Sequence, residues 1–130
     1  MKILHPPSWP RPKGYSNGIA AKGQMIFVGG MVGWDADGRF VSNELVAQVR
    51  QALMNVVAVL AEAKAKPEHI VRMTWYLLDK KEYLAASEQL GAAYREIIGS
   101  HYPAMTAVEV TALLEDKARV EIEVTAVVPD

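Results

Sequence analysis

His101-Tyr-Pro-Ala-Met-Thr-Ala-Val-Glu-Val110, continued by Thr111-Ala-Leu-Leu-Glu-Asp-Lys-Ala-Arg-Val-Glu-Ile-Glu-Val124, is the stretch that decides how this chain folds. Its two runs rich in valine and isoleucine predict strands that present carboxylates at alternate positions. Successive side chains of a strand point to opposite faces, so Met105, Ala107, Glu109 and Thr111 share one face of the first run. Arg119, Glu121 and Glu123 share one face of the second. The complementary sets, Val108 with Val110 and Val120 with Ile122 and Val124, are apolar and are expected to be buried. A sheet with one face in a core and carboxylates on the other meets either water or another subunit.

Upstream, His69 to Leu78 is rich in β-branched and aromatic residues and predicts a further strand, with Val71, Met73, Trp75 and Leu77 on one face. Between it and the closing strands, Leu84, Ser87, Gly91, Tyr94 and Ile98 recur at helical spacing, predicting a helix from Lys81 to Ile98 that breaks at Gly99. A longer helix is expected from Glu44 to Lys64. Val49, Leu53, Val56, Val57 and Leu60 form its apolar stripe, Gln48, Gln51, Asn55 and Glu62 face away, Ser42 or Asn43 caps it and Pro67 ends it. Ser16 to Ala21 and Gln24 to Val32 predict two short strands around a Lys22-Gly23 hairpin turn. The second of these, apolar on both faces through Met25, Ile26, Phe27 and Val28, is expected at the centre of the sheet. Four of the seven prolines lie within residues 6–12, so residues 1–13 form an extended arm, either disordered or laid along the body, with Trp9 as a docking point. Residues 14–130 then make a single domain. The order ββ-α-β-α-ββ predicts an α+β fold, a mixed sheet with both helices on one face. Its other face, mixing Val, Met and Trp positions with Glu109, Glu121 and Thr74, is too apolar for free solvent and too polar for a dry core. Oligomerisation would cover it.

The 130 residues suffice for one domain with a sizeable core. Fourteen Lys and Arg against fifteen Asp and Glu leave a formal charge of −1, with none of the cationic field that drives nucleic-acid binding. The absence of cysteine excludes disulfide scaffolds, thiol nucleophiles and cysteine metal sites. The N-terminus lacks the apolar stretch of a signal peptide, and no run approaches the roughly 18 apolar residues of a membrane span. A cytoplasmic protein with no membrane or nucleic-acid partner is expected. His5, His69 and His101 share no spacing that would set ligands on one face, so no metal or other cofactor is expected, and His101 reads as an exposed loop residue. Asp35-x-Asp37-Gly38 is a turn rather than a calcium loop, since the remaining ligands are missing. Gly29-Gly30 lies inside a strand and cradles no phosphate.

Gly14-Tyr15-Ser-Asn-Gly18, Met25-Ile-Phe-Val-Gly-Gly30, Gln48-Val-Arg-Gln-Ala-Leu-Met-Asn-Val56, Tyr102-Pro-Ala-Met105 and Val120-Glu-Ile-Glu123 together resemble the Rid superfamily, also called YjgF/YER057c/UK114, over about Gly14 to Val127. The resemblance implies a chorismate-mutase-like (YjgF-like) α+β homotrimer, with sheets facing inward and a small-molecule pocket at each subunit interface. In the archetypal enamine/imine deaminases of this family, the residue after Pro-Ala is an arginine that grips the substrate carboxylate. Here it is Met105, which offers neither charge nor donor. The family's serine near the end of the second strand aligns with Gly29, its glycine is kept as Gly30, and its following glutamine becomes Met31. Tyr15 and Glu121 match, while the family's helix-two asparagine falls near Gly91 or Glu88.

Glu121 is the candidate catalytic residue, holding or deprotonating a hydrolytic water; the alternative is an ion pair with Arg119 or a lysine. Tyr15, Gly29, Gly30, Met31, Tyr83, Gly91 and Met105 are the candidate substrate-binding residues. Met31 and Met105 either line an apolar pocket for a larger, aromatic or neutral ligand or fill vacated volume. Trp75 is assigned to the core, and Glu109 to a structural hydrogen bond or ion pair in the central channel. The expected function is hydrolysis or binding of an imine or enamine metabolite other than small 2-imino acids, with backbone groups near Gly30 and Met105 polarising the substrate. A 2-aminomuconate-type deaminase is one form of it. A catalytically inactive trimeric binding or interaction module is the alternative, and a ribonuclease a third possibility.

Overall fold

A computed structural model describes all 130 residues. Strand β1 (Lys2–Leu4) pairs antiparallel with β2 (Gly18–Ala20) in a small separate sheet. The main sheet contains β3 (Gln24–Met31), β4 (Ile70–Leu77), β5 (Ala104–Glu109) and β6 (Val120–Val128) in the order β3-β6-β4-β5. Only β4 and β5 run parallel, joined across helices α2 (Lys80–Ala85) and α3 (Ser87–Ile97); the long helix α1 (Leu45–Glu62) joins β3 to β4. The result is the α+β mixed sheet with its helices against one face.

Several expectations are corrected. The residues flanking Lys22-Gly23 do not form a hairpin, because β2 pairs with β1 of the N-terminal arm and β3 with β6. A Cβ on Gly23 would collide with the Val128 carbonyl, so glycine there lets the chain pass hard against the end of β6. β3 is an edge strand of this sheet, not a central one, and leaves Met25 and Phe27 58% and 70% exposed. Trp9, expected as a docking point, is 56% exposed. The closing strands are not partners, since β6 inserts between β3 and β4.

The face of β5 is reversed from the expected one. Directly paired residues share a face, and the register sets Met105 beside Met73 and Ala107 beside Trp75, both fully or almost fully buried. Met105, Ala107 and Glu109 therefore lie on the helix side, and Val108 emerges beside Tyr76 on the open face. Glu109 reaches no central channel; its Oε1 accepts the Lys80 N–H at 2.8 Å, at the start of α2. In β4 an extra residue between Ile70 and Arg72 shifts the alternation, so Ile70 joins Met73, Trp75 and Leu77 in the core and Val71 does not.

Between sheet and helices lies one core, in which Val49, Leu53, Val56 and Leu60 of α1 meet Ile70, Met73 and Ile122 at no measurable exposure. By length and composition α1 would suffice to cross a membrane, contrary to expectation, but its apolar stripe is consumed by this core. Two of its polar residues do not face away. Gln48 is wholly buried, donates to the carbonyls of Ser42 and Lys117 at 2.9 Å each and accepts the Arg119 N–H at 2.7 Å, tying the loop before β6 to the helix. Asn55 donates to the carbonyls of Val32 and Trp34, with Gln51 steadying its oxygen. The helix starts after Glu44, which makes no side-chain cap; Ser42 accepts the Glu44 N–H instead. It stops before Pro67, because Lys64 adopts a left-handed φ of 58°.

Candidate functional site

α3 presents Ser87 and Gly91 toward β5, where no side chain is large enough to fill the space over Met105 and Ala107. A cleft of about 470 Å³ remains. Its walls are aromatic. Trp75 meets Tyr83 edge-on, with ring centroids 6.1 Å apart, and Tyr94 stacks on Tyr102 at 5.4 Å. The far wall is Lys13-Gly14-Tyr15, held in place by Ser16, whose N–H donates to the Pro103 carbonyl at 3.0 Å and whose hydroxyl donates to that of Tyr102. Tyr94 donates to the His101 carbonyl at 2.6 Å, and burial pushes the phenols of Tyr83 and Tyr94 above the ordinary tyrosine range.

The cleft is electrostatically one-sided. Arg95 and Lys13 line it, no Asp or Glu does, and neither cation makes a salt bridge. Arg95 stands four residues after Gly91 on the same side of α3, and its guanidinium folds back over the glycine, with Nη1 3.2 Å from where a Cβ would be. Trp75 is 2% exposed and its Nε1–H is the one buried side-chain polar atom with no hydrogen-bond partner.

The remaining candidates lie elsewhere. In β3 two residues, Gly29 and Gly30, oppose the single Glu123 of β6, a β-bulge that interrupts the ladder between Val28 and Met31. A Cβ on Gly30 would collide with the Glu121 carboxylate, which packs flat against the bare backbone. Glu121 has no cationic partner, because Arg119 turns away to bind Glu82 with both its Nε and Nη2. Across the strand Tyr76 stands opposite Glu121 but donates to Glu123 at 2.5 Å, which raises the Tyr76 pKa. Met31 turns to the helix side and packs against the core.

Of the candidate residues, the chain thus gathers Tyr15, Tyr83, Gly91 and Met105 in the cleft. Gly30 and Glu121 meet on the open face of the sheet, with Gly29 beside them, so the two groups do not touch within one chain. The three histidines lie apart, and no three His, Asp or Glu side chains gather as a metal site would need. His101 is half-buried rather than exposed, its Nε2 donating to the Ile70 carbonyl at 2.6 Å. Arg95, Tyr94 and Tyr102 were not foreseen as lining residues. The spacing of Gly91 and Arg95 was the available signal, since residues four apart on a helix lie one above the other.

The family model described as endoribonuclease L-PSP matches residues 9–128. A RutC family protein of Pyrococcus abyssi is 35% identical over 90% of this chain and 89% of its own length. The 2-iminobutanoate/2-iminopropanoate deaminase of Salmonella typhimurium is 31% identical over 81% of this chain and 80% of its own. Among solved structures, the Rid family protein YyfB of Yersinia pestis superposes with a TM-score of 0.83 at 30% identity, covering 98% of both chains.

Proposed function

Since the chain belongs to the endoribonuclease L-PSP family, that of the Rid and RutC proteins, we propose that it hydrolyses the carbon–nitrogen double bond of an imine, or of the enamine in equilibrium with it, in a pocket shared by two subunits of a homotrimer. The deaminases among its relatives support this chemistry. The observation that carries it is Glu121, a carboxylate with no cation partner, laid on the backbone of Gly30. In a trimer with inward-facing sheets, the bulge of one subunit stands at the cleft of the next. Glu121 then takes a proton from water as the oxygen adds to the C=N carbon, and the nitrogen, protonated in turn, leaves as ammonia while the carbonyl forms. Backbone groups near Gly30 and Met105 polarise the substrate. The thioether of Met105 and the bare backbone of Gly29 direct selectivity away from small 2-imino acids and toward a bulkier substrate.

Ammonia release from freshly generated imines tests this. Phenylalanine-derived 2-imino acid is expected to be hydrolysed faster than 2-iminopropanoate, and Glu121→Gln to lower that rate by about a hundredfold or more with the assembly intact. Acceleration of no imine, alongside measurable ligand binding, would leave a binding module instead, a reading that Met105 itself favours. The slight acidity of the chain weighs against RNA as substrate.

A further inference from the structure

We propose that the cleft between α3 and β5 binds a planar aromatic carboxylate, with the Arg95 guanidinium as the group that holds its anionic end. The proposal deepens the reading of the cleft given above and shares its location, but it does not depend on turnover.

Three observations converge. The only ionised side chains lining the cleft are Arg95 and Lys13, and no carboxylate neutralises either. Two other arginines are matched, Arg50 with Glu96 and Arg119 with Glu82, whereas Arg95 is left free beside the cleft. A guanidinium beside a cavity, with its donor fork unoccupied by protein, is suited to donating two parallel hydrogen bonds to a carboxylate. Gly91 makes room for this, because its missing side chain lets the guanidinium of the exposed Arg95 lie along the helix at the rim of the cleft.

The walls select what is attached to that anion. Trp75, Tyr83, Tyr94 and Tyr102 present ring edges and faces around the space, and the two aromatic pairs hold their planes at fixed angles. A flat ring enters such a slot with little loss of its own freedom. The volume of about 470 Å³ equals roughly 16 water-sized volumes of about 30 Å³ each, more than a three- or four-carbon acid fills.

The third observation is the indole of Trp75. Its N–H is buried and meets no protein acceptor, and the Trp75 side chain is among those that line the cleft. A buried donor left without an acceptor is costly, and an oxygen or nitrogen of a bound ligand would satisfy it. The cleft thus offers a cation, aromatic surfaces and a donor without a protein partner, and no carboxylate of its own chain lines it.

Calorimetric titration of the full-length protein with benzoate, and with benzamide as its neutral counterpart, tests the proposal. Benzoate is expected to bind at least tenfold more tightly than benzamide, and Arg95→Gln to remove that preference while Arg95→Lys keeps part of it. In a ¹H–¹⁵N spectrum the Trp75 indole resonance, assigned by its loss in Trp75→Phe, is expected to move on addition of benzoate to the unaltered protein. Equal affinity for the two probes, an undiminished preference in a folded Arg95→Gln variant, or a Trp75 resonance that stays in place overturns the assignment. A protein that releases no ammonia yet passes these binding tests would separate the failure of the catalytic reading from this one.

Discussion

Gly30 shows how a missing side chain makes room for another, that of Glu121. Its φ is not left-handed, so alanine would be tolerated by the backbone, and the nearest obstacle is the Glu121 side chain from Cγ outward. Gly30→Ala is therefore expected to move the thermal midpoint by no more than a few degrees while displacing the carboxylate and cutting ammonia release at least tenfold. Equal activity in both proteins would show that the position of Glu121 over the backbone is immaterial. Position 105 was legible as a replacement of charge by thioether, and the structure sets that thioether on the floor of the cleft. Arg95 was not legible as its cationic neighbour. Periodicity assigned the inward stripe of the helix to apolar and small residues, and an exposed arginine one step off that stripe looks like any solvated charge until the space beside it is known.

At the level of elements, the long and strongly periodic segments were readable and the phase of β5 was not. For α1 the apolar stripe Val49, Leu53, Val56 and Leu60 meets the core as its spacing implies. Leu53→Ala is expected to lower unfolding free energy by about 2–5 kcal/mol in urea titration, against about 1 kcal/mol or less for Val59→Ala on the 38% exposed side of the helix. Similar losses at both positions would mean that the stripe has been assigned to the wrong side. In β5 both alternate sets carry apolar residues, so alternation has no preferred phase; the parallel register with β4 decides it. Local pattern was equally silent on partners. Nothing in residues 16–32 says that β2 would choose the arm over β3, because that choice depends on β6 arriving from the other end of the chain to pair with β3. Gln48 and Asn55 were placed on the solvent side by their polarity alone, yet a buried amide is cheap when its donors and acceptor are all engaged, as those of Gln48 are.

For the molecule as a whole, the open face of the sheet is the feature that one chain leaves unresolved. Phe27, Met25 and Val108 are exposed there among Thr and Glu side chains, more apolar surface than a sheet facing only water usually keeps. The homotrimer proposed above covers it. Light scattering is expected to return about three times the 14.3 kDa chain mass, and a monodisperse monomer would remove the shared pocket along with the assembly.

The bulge at Gly29-Gly30 has an evolutionary consequence. Two residues set against one kink a strand through its main chain, so the station of the Glu121 carboxylate is written in backbone geometry and not in the identity of the side chains around the cleft. Recognition can then drift, position by position, without dismantling the proposed catalytic group, and a thioether at 105 is compatible with an undisturbed carboxylate. A scaffold of this kind can be retargeted by redecorating its aromatic slot alone.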